Sequence, residues 1–211
     1  MQSTIDRSFE RLKTFDVKKV LPSLHLANEG AILDVLNQRA WGEYCLNYQW
    51  WPCFFDEVKP RQVVELGSAM GVAAICMLHS QYQDYKLFGI TLEEGGIEFS
   101  YIEKGKYPNF TPVIGDDLDL SLWPKDLDLS ATDIWYFDSL HSEEQLRKEL
   151  ELYKQFLKPG AIAVFDDIHI NPGMNRVWHE LEEIIPLSYK EDYGNPLHFT
   201  GYGIIQIKEK I

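Results

Sequence analysis

The sequence predicts an α/β fold: a doubly wound, mostly parallel sheet preceded by helices. Two observations carry this. From Gln62 onward, short runs rich in β-branched and aromatic residues alternate with segments of helical period, the pattern of strands joined by right-handed crossovers. Several runs, such as Ala161-Ile162-Ala163-Val164-Phe165, are apolar without interruption, as expected of strands covered on both faces. A chain of 211 residues, 45% hydrophobic and 25% charged, is long enough for one such domain with a short extension.

Residues 1–58 read as an N-terminal helical extension and 59–211 as the sheet domain, together one structural unit. In the extension, the segment from Gly30 to Leu36 begins an apolar pattern near helical period. An aromatic stretch follows: Trp41, Tyr44, Tyr48, Trp50, Trp51, Phe54 and Phe55. Such rings fill a core or a dimer contact more often than a substrate pocket, which leaves a homodimer open. Strands are expected at 62–66, 86–91, 111–114, 133–138 and 161–166. A helix is expected over 142–157, with Ser142 as N-cap and Glu143 and Glu144 in the first turn, ending at Lys158-Pro159-Gly160. The tail reads as a final strand over 201–207, in a hairpin with a run near 184–189.

A net charge of −13 argues against nucleic acid as a partner, since a phosphate backbone needs a positive face. Much of the acidity is local: Asp116, Asp117, Asp119, Asp126, Asp128 and Asp133, with Lys125 among them, read as a solvated acidic loop. Cys45, Cys53 and Cys76 have neither framework spacing nor the close pairs of a zinc site, so reduced thiols and a cytoplasmic location are expected. No apolar run has membrane-spanning length, and the first residues do not resemble a signal peptide. No membrane partner is expected.

The most informative segment is Val63-Val64-Glu65-Leu66-Gly67-Ser68-Ala69-Met70-Gly71. A strand that turns on glycine into a helix brings backbone N–H groups close to a ligand. Glu65, at the strand's end, would repel a pyrophosphate but suits a ligand carrying an ammonium or sulfonium group. That points to S-adenosylmethionine. The spacing also lacks the Gly-x-Gly-x-x-Gly pattern of dinucleotide sites, which counts against the rival reading, a nicotinamide-dependent oxidoreductase. A third reading is a cofactor-binding partner subunit without catalysis.

In an open parallel sheet, ligands bind beyond the carboxyl ends of the strands. Those ends deliver Glu65, Gly67 and Ser68; Thr91 and Glu93; Gly115-Asp116-Asp117; Asp138-Ser139-Leu140-His141; and Asp166-Asp167-Ile168-His169. An acid roughly 20 residues past the glycine turn can accept both ribose hydroxyls. Thr91 cannot accept in that way, so Glu93 is favoured, with Glu94 beside it. Asp116 is placed to face the adenine amino group. Asp138, Asp166 and Asp167 would repel one another unless protonated or neutralised by a cation, and oxygen-only ligands suit a hard divalent ion such as Mg²⁺. His141, on the loop after Asp138, can take a proton near neutral pH. His169 is a second candidate, while His25, His79, His179 and His198 have no comparable company.

Together these residues resemble the class I S-adenosylmethionine-dependent methyltransferases over Gln62 to about Glu183, with Glu65 to Gly71 as the cofactor motif. Phe137-Asp138-Ser139-Leu140-His141-Ser142 and Leu157-Lys158-Pro159-Gly160 through Asp166-Asp167 are similar to a subgroup of small-molecule O-methyltransferases, which includes the macrolide-sugar enzymes and cephalosporin-biosynthesis proteins. The resemblance implies a Rossmann-like, seven-stranded sheet whose last strand is antiparallel. It implies Mg²⁺ on Asp138, Asp166 and Asp167, with His141 as general base. The cofactor set is then Glu65, Gly67, Ser68, Gly71, Glu93, Asp116 and Asp138. Thr91 stands where many relatives carry the ribose-binding aspartate, so that contact falls to Glu93 or Glu94. The implied acceptor is a hydroxylated small molecule.

Overall fold

Helix α1 (Gln2–Leu12) and helix α2 (Asn47–Val58) precede strand β1 (Gln62–Leu66) in the computed structural model of the chain, which describes residues 1–14, 46–93, 95–194 and 197–209. The expectations for Gly30 to Leu36 and for His25, Trp41, Tyr44, Cys45 and Glu94 concern residues outside those described. After β1 come α3 (Val72–Met77), β2 (Lys86–Thr91), β3 (Phe110–Ile114), β4 (Ile134–Phe137), α4 (Glu143–Tyr153), β5 (Ile162–Phe165), α5 (Pro172–Ile184), β6 (Leu187–Tyr193) and β7 (Tyr202–Ile207).

The strands form one seven-stranded sheet in the order β3-β2-β1-β4-β5-β7-β6. Strands β1 to β5 pair in parallel, and β7 inserts antiparallel between β5 and β6. The doubly wound sheet with an antiparallel last strand is as the sequence predicts. The register sets β7's first residues against the end of β5, with Gly203 opposite Phe165. The loop entering β7 therefore lies at the same sheet edge as the carboxyl ends of the parallel strands.

Alternate side chains send each strand into two cores. On one face Val63, Tyr136, Val164 and Ile204 pack with Ile5, Trp50, Trp51, Phe54 and Phe55. On the other, Val64, Trp135, Phe137 and Ile205 pack with Leu146, Leu150, Val177 and Trp178 from α4 and α5. The four α2 rings are fully buried, each worth about 1.5–3 kcal/mol of apolar transfer. Trp50 stacks on Phe54 at 4.2 Å, and Trp51 meets Tyr136 edge-on at 4.9 Å. They are core, not a surface for a second copy. Trp50 Nε1 donates to Ser8 Oγ at 2.8 Å, and Arg11 pairs with Asp56 at 2.8 Å, so α1 is clamped to α2.

Ser142 caps α4 as expected, accepting from the Gln145 amide at 3.2 Å. The α-helix stops at Tyr153 and continues as a 3₁₀ turn, Lys154–Phe156. The acidic run is not simply a solvated loop. Asp119 and Asp128 cap two short 3₁₀ turns, Asp133 pairs with Lys158 at 2.6 Å, and Asp117 is buried. Cys53 and Cys76 are free and buried. No described helix is long and apolar enough to cross a membrane.

Candidate functional site

Beyond Leu66 the chain turns at Gly67, with φ at 88°, and the Gly67 and Ser68 amides both donate to the Ile90 carbonyl, at 2.9 and 3.0 Å. A Cβ on Gly67 would lie 2.1 Å from the carbonyl oxygen of Asp138. Only glycine lets the β1 and β4 ends approach so closely. Ala69 is left-handed at φ 46° and donates its amide to Thr91 Oγ1 at 3.1 Å. Strain of this kind in a non-glycine residue persists where the surroundings over-determine it. Gly71, also left-handed, opens α3.

This turn forms one wall of a cleft of about 480 Å³ that also takes in Glu65, Thr91, Asp116, Asp138 and His141. Glu65 is wholly buried. Its Oε2 accepts from Ser68 Oγ at 2.7 Å, and its Oε1 has no partner. Burial pushes its carboxyl up to about 7, with the Ser68 hydrogen bond opposing. A buried, half-satisfied carboxylate is costly unless a cation completes it. The glycine cradle and this orphaned oxygen fit the ammonium-bearing end of S-adenosylmethionine.

The ribose and adenine candidates divide. Thr91 is buried and spent on Ala69, Leu92 lines the cleft, and Glu93 is exposed beyond it. The structure thus does not bring Glu93 into the cleft wall. Asp116 lines the cleft, exposed, its Oδ1 held by the Leu118 amide at 2.9 Å. Beside it lies a pair the sequence reading missed. Asp117 accepts from Gln145 Nε2 at 2.8 Å, and Gln145 also donates to Glu149 Oε1 at 2.9 Å, which Ser139 Oγ meets as well. Burial first, then the charge of Asp117, pushes Glu149 up to about 8. An acid in the middle of α4 gives no sequence signal for such a pairing.

Around Asp138, which lines the cleft, the other two predicted acids converge, although neither Asp166 nor Asp167 is part of the cleft wall. Asp138, His141 and Asp166 offer ligand atoms within 4.8 Å of one another, and so do Asp166, Asp167 and His198. Burial drives both Asp138 and Asp166 well above the ordinary carboxylate range; Glu65 and Asp167 add repulsion at Asp138, and Asp138 and Asp167 add it at Asp166. Asp166 Oδ1 is buried without a hydrogen bond. Asp167 holds a left-handed backbone at φ 55°. A crowded, desolvated oxygen set with an unpartnered atom fits a divalent cation, which would relieve the repulsion.

His141 bridges two of these acids, with Nε2 3.1 Å from Asp138 Oδ1 and Nδ1 3.2 Å from Asp167 Oδ2. Asn171 Nδ2 donates to the His141 carbonyl at 2.9 Å, tying the loop to the start of α5. His169 turns away from the cluster, toward Asn175 at 2.7 Å and Asp192 at 3.5 Å. His198 is the correction: it has close company after all, buried with Nε2 3.5 Å from Asp166 Oδ1 and Nδ1 3.6 Å from Asp167 Oδ1. His79 Nδ1 instead meets the Ile75 carbonyl at 2.8 Å within its own helical segment. Tyr48 is the one described member of the aromatic stretch that lines the cleft.

An open sheet of this order, with a buried acid near the end of its first strand and a glycine turn after it, places a ligand site beyond the carboxyl ends of its strands. A protein family described as "Methyltransferase domain" matches residues 64–168, from β1 through the acid pair after β5. The chain belongs to the S-adenosylmethionine-dependent methyltransferases. Solved structures share its fold. PaMTH1 of Podospora anserina, a methyltransferase bound to SAH, superposes with TM-score 0.62 at 12% identity, covering 91% of this chain and 93% of its own. TomG of Streptomyces achromogenes, an O-methyltransferase of tomaymycin synthesis in complex with SAM, gives 0.59 at 16%, covering 88% and 93%. An O-methyltransferase of Bacillus cereus in complex with SAH gives 0.58 at 15%, covering 93% and 100%. A search of curated proteins finds no match.

Proposed function

We propose that this protein moves the methyl group of S-adenosylmethionine to a hydroxyl oxygen of a small molecule, with a divalent cation such as Mg²⁺ held by Asp138, Asp166 and Asp167. The observation that carries the reading is the continuity of one cleft from the orphaned Glu65 carboxylate to Asp138 and His141. When bound, the cofactor supplies a methyl group already electrophilic on sulfur, so the protein's part is alignment. The cation, when bound, would orient the acceptor's oxygen and favour its ionised form.

The remaining work falls to side chains. Glu65 receives the cofactor's amino group, and the backbone from Gly67 to Gly71 closes around its amino-acid end. Asp116 stands nearest for the adenine edge. His141, released from its bridge between Asp138 and Asp167, takes the acceptor's proton. Leu140, Ile170 and Phe199 are large and exposed, and they sit on the loops that carry the acid cluster. That rim suits an acceptor whose hydroxyl is mounted on an apolar body. Likeness to the O-methyltransferases TomG and that of Bacillus cereus supports oxygen as the acceptor atom. Buried reduced thiols support the cytoplasm as its location.

The direct test is a screen of hydroxylated small molecules with labelled S-adenosylmethionine and Mg²⁺, scored for methylated product. Transfer to at least one acceptor, lost with a chelator, is expected; cofactor binding without transfer to any of them would favour a non-catalytic subunit. Substituting His141→Ala should slow the productive reaction roughly 10²- to 10⁴-fold, the usual worth of a positioned acid or base. A near-normal rate would leave His141 with only its structural bridge.

Glu65 adds a pH prediction. Its carboxyl titrates near 7 in the free protein, and an ammonium binds its ionised form, so binding releases a proton below that pH. Affinity for S-adenosylhomocysteine should therefore fall as pH drops through about 7, approaching tenfold per unit, and level off above it. Calorimetry across that range checks this, and Glu65→Gln should flatten the profile while weakening binding at high pH. A flat wild-type profile would remove Glu65 from the cofactor's contacts.

A further inference from the structure

We infer that His198 is a fourth protein ligand of the cation held by Asp138, Asp166 and Asp167, through its Nε2, and that the site therefore prefers a first-row transition ion such as Mn²⁺ to Mg²⁺. This rests on the cation-assisted reading above and adds to it a ligand that the sequence does not announce.

The route by which His198 arrives is structural. Strand β7 runs antiparallel beside β5, so the turn before it returns to the edge where β4 and β5 end. Two backbone bonds fasten that turn to the acid loop: the His169 amide donates to Thr200 O at 2.7 Å, and the Ile168 amide to Gly201 O at 3.3 Å. Gly201 permits the approach, for a Cβ there would meet His169 Cδ2 at 2.4 Å. His198 is thereby 7% exposed, its ring near parallel to those of Phe199 at 5.6 Å and Tyr202 at 6.0 Å.

Hydrogen bonding is compatible with the tautomer that ligation through Nε2 needs. Thr200 Oγ1 has a single proton, and it is given to Asp167 Oδ1, an acceptor. The same Oγ1 lies 2.8 Å from His198 Nδ1, so Nδ1 can donate at that contact. The Thr200 amide also donates toward Nδ1, at 3.3 Å, a longer bond that this tautomer gives up. With its proton on Nδ1, the ring presents a lone pair at Nε2, on the side where Asp166 Oδ1 stands at 3.5 Å without a hydrogen bond of its own. That is the arrangement of a ligating histidine, whose outer nitrogen is fixed by an oxygen that in turn serves the carboxylates. A cation between them would satisfy both the unpartnered, buried Asp166 oxygen and the buried imidazole lone pair that faces it.

Chemistry then distinguishes the ions. Mg²⁺ takes oxygen ligands and keeps its waters, whereas an imidazole nitrogen added to carboxylates moves selectivity toward Mn²⁺, Fe²⁺ or Co²⁺. His141 is the other nitrogen within reach of the cluster, so the test must separate the two.

The experiment is electron spin echo spectroscopy of the full-length protein loaded with Mn²⁺, alongside calorimetric titration of Mn²⁺ and Mg²⁺. Wild type should show nitrogen modulation from a directly bound imidazole. The modulation should persist in His141→Gln and disappear in His198→Gln. His198→Gln should weaken Mn²⁺ by on the order of 100-fold and Mg²⁺ by less than about tenfold. Modulation that vanishes in His141→Gln instead overturns the assignment, as does Mn²⁺ bound with no nitrogen coupling in the wild type; both leave the cation-assisted reading standing. Failure of wild type to bind either ion would defeat that reading itself. Because the wild-type and His141→Gln spectra decide the matter alone, the inference stays testable even where His198→Gln misfolds.

Discussion

Asp138→Ala and Asp167→Ala are each expected to abolish turnover while leaving S-adenosylhomocysteine binding measurable. Asp138 sits where β4 ends, faces Asp166 across the cluster, and holds His141 at 3.1 Å. Its loss removes a cation ligand and the anchor of the proposed base at once. A cation's contribution of several kcal/mol to the transition state corresponds to a rate loss on the order of 10³-fold or more. The cofactor's amino-acid end rests on Glu65 and the glycine turn, so affinity for the product should change by less than about tenfold. Rate and calorimetry on the same preparations give both numbers. Either variant retaining full activity in the presence of a chelator would remove the cation from the mechanism.

Gly67→Ala is the second large effect, and its cause is steric. The added carbon would meet the Asp138 carbonyl oxygen at 2.1 Å, a backbone atom that cannot swing aside, and L side chains rarely adopt a φ of 88°. The β1 and β4 ends would have to part, at a cost of about 3 kcal/mol or more. For a domain of this size that lowers the melting temperature by on the order of 10 °C, and the separation opens the cradle that holds the cofactor. Gly194→Ala is the matched control, since a Cβ there meets nothing within 4 Å; its melting temperature should stay within a degree or two of wild type. Equal melting temperatures for the two variants would mean that the turn is slack.

The sheet was legible because its signals are local. Uninterrupted apolar runs mark strands buried on both faces, and β1 and β2 fall on the predicted residues. The acid cluster was legible for the same reason: Asp138, Asp166 and Asp167 each follow directly on a recognisable strand, and parallel strands must end at one edge. Glu93 was a weaker inference because it rested on spacing alone, and the chain leaves the cleft wall after Leu92. Asp117 looked like one more acid in a solvated run, but its partner Glu149 lies on α4, and nothing in either segment shows that they meet.

His198 is the instructive omission. The nearest acid before it in the sequence, Asp192, belongs to β6 rather than to the acid cluster, so nothing local marks His198 as a site residue. Yet an antiparallel last strand was expected, and its beginning must lie where its parallel neighbours end. Residues just before such a strand belong in the inventory of site candidates, and here they bring His198 and Thr200 to Asp166 and Asp167. The aromatic stretch resolves in the same physical terms. Trp50, Trp51, Phe54 and Phe55 are core, while Tyr48 faces the cleft, its hydroxyl kept protonated by burial and by the nearby Asp138 and Asp166 charges.

A crystal structure with S-adenosylhomocysteine and Mn²⁺, located by its anomalous scattering, tests the whole proposal in one experiment. The homocysteine amino group should lie within hydrogen-bonding reach of Glu65 Oε1, and the metal peak should fall among Asp138, Asp166 and Asp167. An amino group pointing away from Glu65, or a metal peak outside that cluster, would contradict it.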